Sequence, residues 1–237
     1  MPKVLIADDL DRKASKIDTT ANTLKQEKGS IFQSQQLIII GASTGGPKVI
    51  QDILSKLIPP FPPVIVVQHF PVGFTTPFAE RLDKWSELHI IEAKTGMLLT
   101  SNHVYIAPAG MHLVLDEDYS NIKIYLCKGD RVNGGIPALE PTLLSASYYF
   151  VKRLIVVILT GMGSDGLVGV QYCKANGGLV LVQDEQSSLV YGMPKAVLEA
   201  GFVGIVANPV SITSYLNAGF SNKNVTCSQL NLMRNSR

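Results

Sequence analysis

The sequence predicts an α/β fold: a doubly wound, mostly parallel sheet with helices on both faces and an inserted β-hairpin. Three observations predict it. Short aliphatic runs recur along the chain, at residues 37–40, 64–67, 154–159 and 179–182. They are apolar at every position rather than alternating, which marks strands buried on both faces. Between them lie segments with apolar residues at helical spacing, as in Val49, Ile50, Ile53, Leu54 and Leu57. Such alternation builds parallel sheets whose crossovers are helices. Finally, the runs at 111–115 and 122–126 flank a polar turn, the pattern of a hairpin.

Taken in order, residues 1–36 come first. Lys3-Val4-Leu5-Ile6-Ala7-Asp8-Asp9 reads as a short strand ending in two carboxylates. It resembles the opening strand of a response-regulator receiver domain, whose acidic pair holds Mg²⁺. From residue 10 to 36 the composition turns polar, as in a linker. The segment is therefore read as a linker or truncated receiver remnant rather than a working metal site. Residues 37–210 form the expected catalytic domain. A strand at 37–40 leads into Gly41-Ala42-Ser43-Thr44-Gly45-Gly46-Pro47 and a helix at 47–57. The prolines of 59–63 make a stiff connector to the strand at 64–67, which ends at Gln68-His69. A helix is expected at 75–88, and short strands around a glycine turn at 89–93 and 104–107. The hairpin and a helix at 137–151 follow. The run at 154–159 is the strongest strand. A helix at 167–176 closes on Gly177-Gly178, and a strand at 179–182 and a short helix at 194–200 complete the core. Residues 211–237 are read as a helix running into a polar tail.

Composition excludes several function classes. An apolar fraction of 46% and a charged fraction of 17% fit a chain with a sizeable core. A net charge of +2 is too small to imply nucleic acid or an anionic membrane. No apolar run approaches the length of a membrane span, and no signal-peptide core is present. Cys127, Cys173 and Cys227 are odd in number and widely spaced, with no metal-ligand spacing. A reducing cytoplasm, no cofactor and no bound metal are expected.

In open parallel sheets, ligands bind beyond the carboxyl ends of the strands. Ser43 follows the first strand of the core, in a Gly-x-Ser-x-Gly spacing that fits a nucleophile elbow, a phosphate loop or a plain turn. His69 follows the second. Gly161-Met162-Gly163-Ser164-Asp165-Gly166 follows the strongest. A serine nucleophile needs a base, and the base needs an orienting carboxylate. The last loop also fits the dinucleotide pattern G-x-G-x-x-G, with Asp184 placed to meet a ribose. Against that, Asp165 stands before the following helix, whose positive end a pyrophosphate would need. A carboxylate held there stays ionised, as a triad acid must. Triad acid, nucleotide loop and bland turn remain three readings. Of the other histidines, His89 reads as surface, while His103 and His112 read as loop or substrate-side residues.

Six stretches together resemble the catalytic domain of CheB-type chemotaxis methylesterases. They are Ile40-Gly41-Ala42-Ser43-Thr44-Gly45-Gly46, Gln68-His69-Phe70-Pro71-Val72-Gly73-Phe74-Thr75, Phe78-Ala79-Glu80-Arg81-Leu82, Val104-Tyr105-Ile106-Ala107-Pro108, Ile158-Leu159-Thr160-Gly161-Met162-Gly163-Ser164-Asp165-Gly166 and Tyr191-Gly192-Met193-Pro194. The resemblance implies a protein-glutamate methylesterase, a serine hydrolase that removes methyl esters from glutamates of chemoreceptors and by the same route deamidates glutamines. It implies Ser43 as nucleophile, His69 as base, Asp165 as its acid, and Thr44 and Met162 as oxyanion contacts. The implied partner is the cytoplasmic helices of a methyl-accepting receptor, met by a monomer without nucleic acid or membrane insertion. The alternative is a nucleotide-binding or inactive signalling interaction domain. One departure stands out: Gly135-Ile136-Pro137-Ala138 replaces a His-Arg-Pro-Ser-like run, removing an arginine from a loop expected to contact substrate.

Overall fold

The computed structural model describes residues 36–118 and 121–221. The strand and linker expected at 1–36 lie outside the described residues except for Gln36, as does the tail after 221. In chain order the elements are β1 (Leu37–Ala42), α1 (Gly46–Leu54), β2 (Val64–Gln68), α2 (Thr75–Asp83), β3 (His89–Glu92), β4 (His103–Ile106), β5 (His112–Asp118), β6 (Asn121–Cys127), α3 (Leu139–Tyr149), β7 (Leu154–Ile158), α4 (Leu167–Ala175), β8 (Leu179–Gln183), α5 (Gly192–Glu199), β9 (Ile205–Ala207) and α6 (Pro209–Ser221).

Among the described residues, seven strands form one sheet in the order β3-β4-β2-β1-β7-β8-β9. Every pairing in it is parallel. Such a sheet must be covered on both faces, and it is. Ile38, Ile40, Val64, Val66, Ile155 and Val157 face α1, α2 and α6 in one continuous core. The alternate residues face α3 and α4: a Cβ placed on Gly41 would run into the Leu139 side chain. Ile39, Val156 and Ile158 are fully buried on that side. The β5–β6 hairpin stands apart from the sheet and packs on α3, where Thr142 Oγ1 donates to Leu113 O at 2.7 Å and Leu115 N–H donates to Ser145 Oγ at 3.0 Å.

The sheet is parallel, as the aliphatic runs predict, and the strands expected around a glycine turn, β3 and β4, are neighbours in it. Three expectations need correction. Helix α2 stops at Asp83, whose carboxylate turns away to accept the Ile90 N–H at 2.6 Å. A short edge strand, β9, was not expected. The final helix begins at Pro209, and its Ile212 and Leu216 sit in the core beside α1. Among the described residues, no helix is long and apolar enough to cross a membrane.

The register fixes the geometry that matters. Gly41 pairs with Val67 on one side and Ile158 on the other, so three strand ends come level. The ladder continues past the strands: His69 N–H donates to Ala42 O (3.3 Å), Leu159 N–H to Gly41 O (2.9 Å) and Ser43 N–H to Thr160 O (3.0 Å). The strand order reverses between β1 and β7, the crevice where such sheets place ligands.

The α3–α4 contact sets a test of this packing. Gly169 lies inside α4, and a Cβ there would overlap the Leu143 Cβ of α3. In an open helix, Gly→Ala stabilises by about 1 kcal/mol. Here overpacking reverses the sign, and Gly169→Ala is expected to lower stability by roughly 1–3 kcal/mol. Urea unfolding reads the difference, and a midpoint that rises would refute this packing.

Candidate active site

Ser43 is the first residue past β1. Gly45 takes a left-handed conformation (φ 83°) that turns the chain into α1, and Pro47 sits in the first turn. Only glycine adopts that conformation without strain. Behind Ser43 lies Gly161: a Cβ there would stand 2.8 Å from the serine Cβ and 3.0 Å from its nitrogen. The serine is thus backed by main chain and open on its other side.

His69 leaves β2 next to it. Its Nδ1 is 3.1 Å from Ser43 Oγ, and its Nε2 is 2.8 Å from Asp165 Oδ2. Asp165 comes from the loop after β7 and is buried. Its oxygens also accept the Leu139 N–H at 2.6 Å, the Glu140 N–H at 3.2 Å and the Asn133 side-chain amide at 3.2 Å. Burial pushes its carboxyl up, but the bonds from His69, Leu139 and Asn133 and the nearby imidazole outweigh burial and hold it below the usual carboxylate range. An ionised Asp165 can only accept, so the imidazole carries its proton on Nε2 and turns the Nδ1 lone pair to the serine hydroxyl. The ring is used in the opposite sense to the chymotrypsin-type triad, where Nε2 faces the nucleophile.

The carboxylate does not cap the helix that follows it, as the sequence had indicated. It crosses to the N-terminus of α3. In return the Glu140 carboxylate, in the first turn of α3, lies toward the N–H groups of Gly169, Val168 and Gly166 at the start of α4. Burial is the main force pushing the Glu140 carboxyl up, with repulsion from Asp165 adding to it, while those N–H groups oppose the rise. Each helix therefore receives its terminal anion from the other's neighbourhood. The exchange bears on the nucleotide reading. The α4 N–H groups that a pyrophosphate would use face the Glu140 carboxylate, and Asp184 is turned back onto Ser187.

Ser43, His69 and Asp165 converge at neighbouring strand ends. Thr44 and Met162 flank the serine on two loops, and both backbone N–H groups are without a hydrogen-bond partner among the described residues. The serine's own N–H is taken by Thr160 O. Met162 itself is 76% exposed. His112 departs from expectation: it is buried, donating from Nε2 to Asp130 O at 2.8 Å and accepting the Ala138 N–H at 3.2 Å. It braces the hairpin against the start of α3 and does not line the site. His103 lies in β4, at the far end of the sheet from Ser43.

Sequence reasoning missed three supporting residues. Asn133 sits with Gly134 in a tight turn, both at positive φ, closed by reciprocal Val132–Gly135 bonds of 3.2 and 2.9 Å. An Asn-Gly dipeptide is a strong signal for that turn, though not for the bond to Asp165. Glu140 and Gln68 carried no signal of their own. The departing stretch at Gly135 packs on the base: a Cβ there would stand 3.1 Å from His69 Nε2. The loop walls the imidazole on its acid side.

Comparison with known proteins places this geometry. Residues 38–216 match the family described as CheB methylesterase. A protein-glutamate methylesterase/protein-glutamine glutaminase of Thermotoga maritima is 42% identical over 174 residues, 73% of this chain and 51% of the relative. One from Thiobacillus denitrificans is 41% identical over 188 residues, 79% and 53%. The crystal structure of the Thermotoga maritima CheB methylesterase catalytic domain aligns with a TM-score of 0.75 at 41% identity, covering 78% of this chain and 98% of that one. The chain spans about half the length of the curated relatives it matches.

The lowered Asp165 carboxyl sets a pH dependence. A depressed folded value means that its contribution to stability is complete above the unfolded value, near pH 4, and is lost as pH falls through the lower folded value. Asp165→Asn removes that contribution. The melting-temperature gap between wild type and variant is expected to be constant from about pH 5 to 8 and to close below about pH 4. A gap that does not narrow in acid would refute the assignment.

Proposed function

The chain belongs to the CheB methylesterase family, and on that premise we propose that it hydrolyses γ-glutamyl methyl esters on the cytoplasmic helices of a chemoreceptor. The observation that carries the reading is the unbroken chain Ser43 Oγ–His69 Nδ1 (3.1 Å) and His69 Nε2–Asp165 Oδ2 (2.8 Å) at adjacent strand ends. Ser43 Oγ attacks the ester carbonyl while its proton passes to His69 Nδ1. Asp165 stabilises the imidazolium through Nε2–H, as a buried, hydrogen-bonded carboxylate does in triads. The oxyanion forms where the Thr44 and Met162 N–H groups are free to meet it. Collapse transfers the proton to the departing methoxide, and methanol leaves. Water, deprotonated by the same nitrogen, then attacks the acyl-enzyme and releases glutamate. Glutamine would follow the same route, with ammonia as leaving group. Every step uses only these side chains, backbone amides and water.

The surroundings support a large, partly apolar substrate. Val72, Phe74, Met162 and Leu189 are exposed on the loops after β2, β7 and β8. Leu189 packs over Gly45, one turn from the serine: a Cβ on Gly45 would stand 2.8 Å from the leucine Cβ. A receptor helix laid across this rim would bring one glutamyl ester down to Ser43. Such a substrate places the protein in the cytoplasm. The nucleotide-binding alternative has less support, because Glu140 already serves the helix terminus it would need.

Ser43→Ala is expected to cut methanol release from methylated receptor by ~10⁴-fold or more, the usual cost of losing a triad nucleophile. Asp165→Asn, which offers Nε2 an ambiguous partner and so favours the wrong tautomer, is expected to lose on the order of 10³–10⁴. Release of labelled methanol measures both. A Ser43→Ala protein that works at the wild-type rate would sink the proposal.

A further inference from the structure

Gln68 is the last residue of β2, a strand otherwise built from Val64-Ile65-Val66-Val67. It is 2% exposed. Its Nε2 donates one hydrogen to Ser43 O at 3.0 Å and the other to His69 O at 3.1 Å. A primary amide has two N–H donors; one goes to the nucleophile's residue and one to the base's. Its Oε1, meanwhile, is buried without a partner. An unsatisfied buried acceptor is destabilising. An aliphatic residue, like the four before it in β2, would avoid that cost.

The bond to Ser43 O has a directional consequence. The Ser43–Thr44 peptide is trans, so its C=O and its N–H point opposite ways. The carbonyl is held on one side by Gln68 Nε2 and by the Gly46 N–H at 2.9 Å. The Thr44 N–H is therefore aimed to the other side, where it has no partner. The following peptide is fixed as well, because Thr160 Oγ1 donates to Thr44 O at 2.9 Å. Gly46 completes the fit: any side chain there would overlap Gln68 Oε1.

We propose that Gln68 is a positioning residue for the esterase reaction: its amide orients the Ser43–Thr44 peptide so that the Thr44 N–H meets the oxyanion, and it holds the loops of nucleophile and base in register. The inference rests on the esterase reading of the same site. It assigns Gln68 no contact with substrate. Its effect belongs to the transition state, since the oxyanion forms only there.

The test uses Gln68→Met, which keeps length but has no donors, and Gln68→Glu, which can donate only when protonated. For Gln68→Met, kcat on methylated receptor is expected to fall about 10- to 100-fold, approaching the loss of one oxyanion donor, with KM within about twofold. For Gln68→Glu, the activity relative to wild type is expected to rise as pH falls from 8 to 6, as its buried carboxyl protonates. A loss carried by KM, an unchanged kcat, or a ratio that is flat with pH would overturn the proposal. Should Gln68→Met fail to fold, the pH ratio of Gln68→Glu decides. Labelling of Ser43 by a fluorophosphonate, run in parallel, separates the two readings. If wild type leaves receptor untouched yet labels faster than Gln68→Met, only the receptor assignment fails. If both proteins demethylate and label equally fast, only the role of Gln68 fails.

Discussion

The site depends on the parallel ladder β2–β1–β7. Each strand end by itself carries a common residue type. What makes them a constellation is that Gly41 is level with Val67 and Ile158, and that the hydrogen bonding runs on into the loops through His69, Ser43 and Leu159. A slip of one residue in either pairing would move the serine more than 3 Å along the sheet and put its neighbours' side chains on the opposite face. Register in turn is set by the two apolar faces. Ile38 and Ile40 must meet α1 and α6, while Ile39 and Gly41 must meet α3 and α4, so no shifted alignment satisfies both. Burial on two sides thereby sets the register that brings the three strand ends level.

Electrostatics then act on this frame through the helix termini. Asp165 would be costly to bury as an anion alone. It is ionised because α3 offers two N–H groups, Asn133 a third donor and His69 a fourth. Glu140 lies toward the start of α4 but keeps a raised carboxyl, chiefly because it is buried and also because Asp165 is a like charge beside it. Two acids only a few residues from each other's helices are thus pushed in opposite directions. The one facing the imidazole is the one held ionised.

Much of the frame was legible. Strands buried on both faces read as unbroken aliphatic runs, which is why β1, β2, β7 and β8 stand out from composition alone. The residue after each run then marks the ligand edge, and Ser43 and His69 follow directly. The edge strand β9 was hidden because three residues between Gly204 and Asn208 carry no period. The order β3-β4-β2 was hidden because adjacency in a parallel sheet is set by crossovers that leave no local pattern. At the site, Asp165 was found from its loop, but its partner helix was not, since the bond runs from a main-chain N–H with no sequence signature. Gln68 was hidden for a related reason: both of its partners are carbonyls. A polar residue at the end of an aliphatic run looks like the end of a strand.

The crossed pairing of Asp165 with α3 and Glu140 with α4 has a consequence during synthesis. His69 and its acid are separated by 96 positions, and the acid finds its main-chain donors only once the loop after β7 meets the start of α3. A nascent polypeptide can expose the serine and the imidazole long before this happens. Until then the imidazole has no fixed tautomer, and the hydroxyl is no more reactive than that of any surface serine. Chain order alone therefore does not assemble the acid–base pair; the docking of that loop on α3 does.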